Sequence, residues 1–188
     1  MSHRKIEMSS GKQMHIFDDL YPYHFRSVWY DRATVQWFSP TGQDTNTLEQ
    51  KGDFNLWAPI GPQLESFDIL GYESAGPVRD LIGDAVLDLS QARINLSTLN
   101  DKNRFHVDTT DIPTLTLLYY LNVDWNLEWG GYTLFADDQC EEIEQVISYK
   151  PGRVIVFDGS IPHCIAAPTN LAPTYRFSLA LKFHQAFL

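Results

Sequence analysis

From Arg93 onward the chain is cut into short segments rich in Ile, Val, Leu, Thr and Tyr, separated by Asp, Asn, Gly and Pro. No other feature limits the fold as strongly. β-Branched and aromatic residues fit a pleated, half-buried surface, whereas Gly, Pro, Asn and Asp supply the backbone angles of tight turns. The spacing predicts strands near Arg93–Leu99, Arg104–Asp108, Thr114–Val123, Tyr132–Phe135, Glu144–Tyr149, Arg153–Phe157, Cys164–Ala167 and Tyr175–Phe183. Turn signals stand between them at Gly130-Gly131, Pro151-Gly152 and Asp158-Gly159. About eight antiparallel strands with this rhythm suit a jelly roll, so the expected fold is mainly β with supporting helices.

The N-terminal half supplies the support. Met14–Leu20 reads as a short strand. A helix is expected to begin at Pro22, with Phe25, Val28, Trp29 and Ala33 recurring at helical spacing. A second is expected over Val78–Leu89, where Leu81, Ile82, Ala85 and Val86 would form one apolar stripe. Phe38–Gly52 reads as a polar loop. At 188 residues the chain suits a single domain, with supporting elements over about 14–92 and the jelly-roll core over about 93–184.

A net charge of -10 repels phosphate backbones and anionic lipid surfaces, which disfavours nucleic acid as a partner. The longest apolar run, Leu115–Leu121, is interrupted by Thr116 and is too short to span a bilayer, so no membrane partner is expected. Two cysteines, Cys140 and Cys164, and the lack of an apolar N-terminal stretch fit a cytoplasmic protein.

His106 and Asp108 lie two residues apart on an expected strand, so both side chains share a face. His163 follows Pro162 and could add a third ligand. Two histidines and one carboxylate leave open positions on a metal and suit iron(II). Alone, a His-x-Asp pattern is weak: a core histidine and a turn aspartate would look the same. The second signal is Arg176, which shares a face with Ser178. A guanidinium fork and a hydroxyl together fit an incoming carboxylate.

With these pieces in view, Phe105 to Phe183 resembles the iron(II)- and 2-oxoglutarate-dependent dioxygenases, in particular the prolyl-4-hydroxylase-like branch. The resemblance is carried by Phe105-His106-Val107-Asp108, by Leu118-Tyr119-Tyr120-Leu121-Asn122 with Asp124-Trp125, and by Gly130-Gly131-Tyr132-Thr133-Leu134-Phe135. It continues through Lys150-Pro151-Gly152-Arg153-Val154-Ile155-Val156-Phe157-Asp158, His163 and Tyr175-Arg176-Phe177-Ser178. It implies a double-stranded β-helix core of the cupin type, and His106, Asp108 and His163 as the iron ligands. It further implies Arg176 on the distal carboxylate of 2-oxoglutarate, joined by Tyr120, with Ser178 and Thr133 lining the same pocket.

The implied cofactors are Fe(II), 2-oxoglutarate as co-substrate and O2, with ascorbate as an optional stimulant. The implied reaction is hydroxylation of a C–H bond in a peptide or small molecule, with release of succinate and CO2. Periodicity leaves open which of Tyr119 and Tyr120 faces the co-substrate. The turn through Ala166–Pro173 is longer than in close prolyl-hydroxylase relatives.

A non-catalytic cupin-like or lectin-like jelly-roll binding module is the rival reading, and the Arg176-x-Ser178 fork argues against it. Trp57, Trp125 and Trp129 could wall a substrate pocket or serve as packing. Cys164 is expected to point away from the metal as a small buried hydrophobe.

Overall fold

The computed structural model describes residues 1–40, 56–60, 69–82, 87–101, 103–108 and 113–185. Eleven strands occur among them, in two antiparallel sheets. In chain order the elements are β1 (Ser2–Glu7), β2 (Gln13–Asp18), α1 (Tyr23–Thr34), β3 (Ser39–Pro40), β4 (Leu56–Pro59), α2 (Gly76–Ile82), β5 (Leu87–Ser97), β6 (Thr114–Tyr120), β7 (Thr133–Ala136), β8 (Ile143–Ile147), β9 (Val154–Asp158), β10 (His163–Ile165) and β11 (Arg176–Gln185). The large sheet runs β1-β2-β9-β6-β11-β5-β4-β3 and the small one β10-β7-β8. Mostly β, with antiparallel sheets, this is the expected jelly-roll architecture.

The central strands β9, β6 and β11 of the large sheet are buried on both faces, and strand alternation sorts their residues between two cores. On one face Val154 and Val156 of β9, Leu117 and Tyr119 of β6, and Phe177, Leu179, Leu181 and Phe183 of β11 pack with Phe25, Trp29 and Ala33 of α1 and with Val78 and Ile82 of α2. On the other, between the sheets, Ile155, Phe157, Leu118, Tyr120 and Ala180 meet Phe135, Ile147 and Tyr149. The run Val154-Ile155-Val156-Phe157 is apolar throughout because both of its sides are covered.

α1 begins after Pro22, whose carbonyl accepts from the Phe25 and Arg26 N–H groups. Phe25, Trp29 and Ala33 are buried as the helical spacing requires, whereas Val28 is exposed, at the margin of the stripe. α2 stops at Ile82, short of the expected Leu89. Leu87 and Leu89 belong instead to β5 and pair with Gln185 and Phe183. Cross-strand pairing with a ten-residue partner outweighs a weak helical stripe. Ala85 and Val86 of that stripe lie outside the described residues, as does most of the polar loop from 38 to 52. Among the described residues, no helix is long and apolar enough to cross a membrane.

The expected strand over Arg104–Asp108 does not form. Only His106 makes a bridge, to His163, and the Asp108 N–H turns to the Gly159 carbonyl at 2.7 Å. The segment crosses from the edge of the small sheet to the end of β9, so no ladder can continue along it.

A latch fixes the turn before β9. Gly152, at φ +82°, donates its N–H to the Tyr120 carbonyl, and the Tyr120 N–H returns to the Arg153 carbonyl. Arg153 grips Asp18 at the end of β2 with Nε at 2.7 Å and Nη2 at 3.0 Å. Burial alone would raise the Asp18 pKa, but the hydrogen bonds and charges of Arg153 and Lys150 outweigh it and hold the carboxyl below its ordinary 3.8. A depressed folded-state pKa adds stability that is present above 3.8 and lost as pH falls through the folded value. Asp18→Asn is therefore expected to cost about 2 kcal/mol at neutral pH. In urea titrations the gap between variant and parent should narrow below that pH; a gap constant from neutral to acid pH would sink the assignment.

Candidate active site

His106, Asp108 and His163 come together although they are not on one strand. Their ligand atoms all lie within 4.8 Å of one another. The two histidines exchange backbone hydrogen bonds of 3.0 and 2.9 Å across the single bridge, which sets their rings 4.5 Å apart. Each ring points its Nδ1 at a backbone carbonyl, His106 to Arg104 at 3.1 Å and His163 to Ile161 at 2.9 Å. That choice of partner leaves both Nε2 atoms toward Asp108, at 3.8 Å from Oδ1 and 3.7 Å from Oδ2. An Nδ1–H held by a carbonyl fixes the tautomer a metal needs.

The protonation states agree with that use. Burial brings the His163 pKa down to about 4, so its imidazole is neutral near pH 7. For Asp108 burial works the other way, but His163, Lys182 and Thr116 outweigh it and bring the pKa down to about 2. An ionised carboxylate and a neutral imidazole are the forms that bind a metal. The donor set of two imidazoles and one carboxylate fits iron(II). With half of the His106 side chain exposed, the open side of the cluster faces solvent.

Thr116 and Lys182 are contacts that the sequence reading missed. Thr116 donates to Asp108 Oδ2 at 2.5 Å and Lys182 Nζ lies 2.7 Å from Oδ1, so both carboxylate oxygens are held. The two face each other across β6 and β11. A signal existed: Lys182 is six residues beyond Arg176, an even number, on a strand whose other face is Phe, Leu, Leu and Phe. Gly159 completes the support by its lack of a side chain. A Cβ there would meet the Thr114 carbonyl at 3.1 Å and Asp108 Cβ at 3.3 Å.

The second cluster lies on the same inner face. Arg176 is wholly buried, with Nε on the Gly131 carbonyl at 2.9 Å, Nη1 on Ser178 Oγ at 3.1 Å and Nη2 3.4 Å from Thr133 Oγ1. Thr133 Oγ1 also pairs with the Tyr120 hydroxyl at 2.6 Å. Arg176, Ser178, Thr133 and Tyr120 thus form one connected group. Tyr120 is the inward tyrosine: it packs between the sheets, while Tyr119 joins the helix-side core. Burial raises the Tyr120 pKa and keeps the phenol a donor.

Gly131, at φ +74°, lets its carbonyl approach the guanidinium; a Cβ there would meet Arg176 Cδ at 3.0 Å. Trp125 braces the same turn, donating Nε1–H to the Gly130 carbonyl at 3.0 Å and packing edge-on against Trp129. For Trp125 the contacts support a packing role, whereas Trp57 of β4 stands opposite Asn95 of β5, in the cross-strand row that continues to Ser178 and Tyr120. Cys164 is buried beside His163 on β10, where strand alternation turns it from the face that carries the His163 imidazole.

Thr116→Val keeps the shape of the side chain but removes the hydrogen bond to Asp108. Metal affinity, measured by nickel(II) or manganese(II) titration, is expected to fall by roughly tenfold with the thermal midpoint little changed. Unchanged affinity would show that Asp108 does not depend on this contact.

Comparison with known proteins bears on both clusters. No curated protein sequence matches the chain. Among solved structures, a prolyl hydroxylase from Trichoplax adhaerens, in complex with a hypoxia inducible factor oxygen degradation domain peptide fragment, superposes with TM-score 0.67 at 17% identity, covering 92% of this chain and 83% of the other. A Pseudomonas putida prolyl-4-hydroxylase gives TM-score 0.62 at 17% identity over 93% of both chains. HygX from Streptomyces hygroscopicus, solved with nickel and 2-oxoglutarate bound, gives 0.66 at 11% identity over 93% of this chain and 84% of that one. At such identities these likenesses speak for the fold. The family model described as 2OG-Fe(II) oxygenase superfamily matches residues 93–184, the stretch that carries every residue of both clusters. Over residues 93–184 the chain is thus similar to the 2OG-Fe(II) oxygenase superfamily, whose members use iron(II) and 2-oxoglutarate.

Proposed function

We propose that this dioxygenase hydroxylates an unactivated C–H bond of a peptide or small molecule, with His106, Asp108 and His163 holding iron(II) and Arg176 holding 2-oxoglutarate. The observation that carries the co-substrate assignment is the burial of Arg176. Its guanidinium is fully enclosed, and among the described residues no carboxylate lies within ion-pair distance of it, Asp101 feeling its charge only from farther off. An enclosed cation without a counter-charge is costly, and a dicarboxylate reaching in from the metal cancels that cost.

Each residue then has a physical task. Arg176 offers a planar fork to the distal carboxylate, and Ser178, Thr133 and Tyr120 fix the fork and add hydroxyls around it. Thr116 and Lys182 hold Asp108 in one orientation, and the Arg104 and Ile161 carbonyls do the same for the two imidazoles. The stacked rings of Tyr120 and Tyr149, 4.3 Å apart, wall the co-substrate end from water. When bound, iron(II) and 2-oxoglutarate supply the oxygen chemistry, an oxidative decarboxylation to succinate and CO2 coupled to C–H oxidation, while the protein orients and shields. The peptide held by the Trichoplax neighbour supports keeping polypeptides in the substrate class.

The test is to incubate the protein with iron(II), ascorbate and 2-oxoglutarate under air and measure succinate, alongside direct 2-oxoglutarate binding. Arg176→Ala is expected to weaken 2-oxoglutarate binding by about a hundredfold. Arg176→Lys should recover little, because an ammonium cannot replace the two-pronged contact. If Arg176→Ala binds 2-oxoglutarate as the parent does, the assignment of this pocket is wrong.

A further inference from the structure

A second positive centre lies at the metal end of the inner face. β5 and β11 run side by side, with Gln91 opposite Lys182 and Arg93 opposite Ala180. Ile94 and Leu96 of β5 belong to the helix-side core, so alternation sends Arg93 and Asn95 to the face that carries Lys182. Arg93 and Lys182 are near enough to feel each other's charge, and both feel Asp108. Ala180, opposite Arg93 and two residues before Lys182, has only a small side chain on this face.

The charges there do not balance. Lys182 is bound to Asp108 at 2.7 Å, but Arg93 has no ion pair among the described residues, and its Nε is buried without a hydrogen-bond partner. Gln91 Oε1 is also buried and unpaired. Two cations thus share one carboxylate, and Asp108 is also a residue of the metal cluster. With a divalent ion there, Asp108 is committed to the metal and the surplus positive charge grows. Co-substrate binding would not remove it: one carboxylate would go to Arg176 at the other end of β11, and the other, held at the metal, would offset the ion's own charge and not that of Arg93. In a chain of net charge -10, such a concentration of positive charge on one inner face is not a by-product of composition.

We infer that the substrate carries an oxyanion, in the simplest case a carboxylate, which docks on Arg93 and Lys182 beside the metal. The inference rests on reading the site as a 2-oxoglutarate oxygenase. Arg93 supplies the planar fork that a carboxylate or phosphate matches, and Lys182 adds a point charge. The C–H bond attacked then lies within a few bonds of the anionic group. Neutral molecules are disfavoured because they would leave the guanidinium uncompensated and its buried Nε unpaired.

The test uses the full chain loaded with nickel(II) and saturating 2-oxoglutarate, which binds without turning over, titrated calorimetrically with benzoate, phenyl phosphate and benzamide. Benzoate or phenyl phosphate is expected to bind and benzamide not; whichever anion binds more tightly distinguishes carboxylate from phosphate docking. Arg93→Gln should weaken the anion by about tenfold or more while 2-oxoglutarate affinity is unchanged, and Arg93→Lys should recover part of the loss. Equal binding of benzoate and benzamide would overturn the inference. So would an Arg93→Gln variant that loses 2-oxoglutarate but keeps the anion, since Arg93 would then serve the co-substrate. If the parent protein fails to bind nickel or 2-oxoglutarate at all, the oxygenase reading falls first and this inference with it.

Discussion

The placement of β11 between β5 and β6 is the constraint on which both ends of the site depend. Its ladder to β6 sets Ser178 opposite Tyr120 and Lys182 opposite Thr116, and its ladder to β5 sets Arg176 opposite Ser97. One face of the strand is Phe177, Leu179, Leu181 and Phe183, buried under the helices. A shift of one residue would put those four rings and branches between the sheets and drive Arg176 and Lys182 into the helix-side core. Register is therefore enforced by apolar burial on one face, and the polar face inherits its positions from that enforcement.

The Arg176 end needs further stiffening because it is lined with polar groups. Tyr149 provides it: its hydroxyl lies 2.7 Å from Asn122 Oδ1 and 2.6 Å from the Phe177 carbonyl, while Asn122 Nδ2 reaches the Tyr175 carbonyl at 2.9 Å. These bonds tie the end of β6 to the start of β11 on both sides of Arg176. The guanidinium carbon also lies 4.7 Å from the Tyr149 ring centre and 5.0 Å from that of Tyr120. Aromatic faces stabilise a cation without occupying the hydrogen-bonding edge an anion would use.

Most of this was legible in the sequence where a long ladder enforces alternation. The strands of the second half lie within a few residues of their expected places, and the sharing of a face by Arg176 and Ser178 follows from strand period alone. Periodicity failed where no ladder exists. His106 and Asp108 meet through one bridge and one turn contact, so the expected strand there was the wrong route to the right neighbourhood. It failed also where two sides were equally plausible, since both tyrosines of the pair are wholly buried and only the identity of the two cores separates them. Lys182 belongs to no motif; its even spacing from Arg176, on a strand whose alternate positions are apolar, is the cue that places it on the inner face.

The bridge between His106 and His163 has a bearing on solubility as well as chemistry. β10 ends the small sheet, and an uncovered sheet edge is a template for pairing with another chain. His106 covers that edge with its two backbone hydrogen bonds. The residue pair that spaces the imidazoles is thus also the guard of the sheet's open side. A change that swung the 104–108 segment away would disperse the cluster and expose an aggregation-prone edge in the same motion.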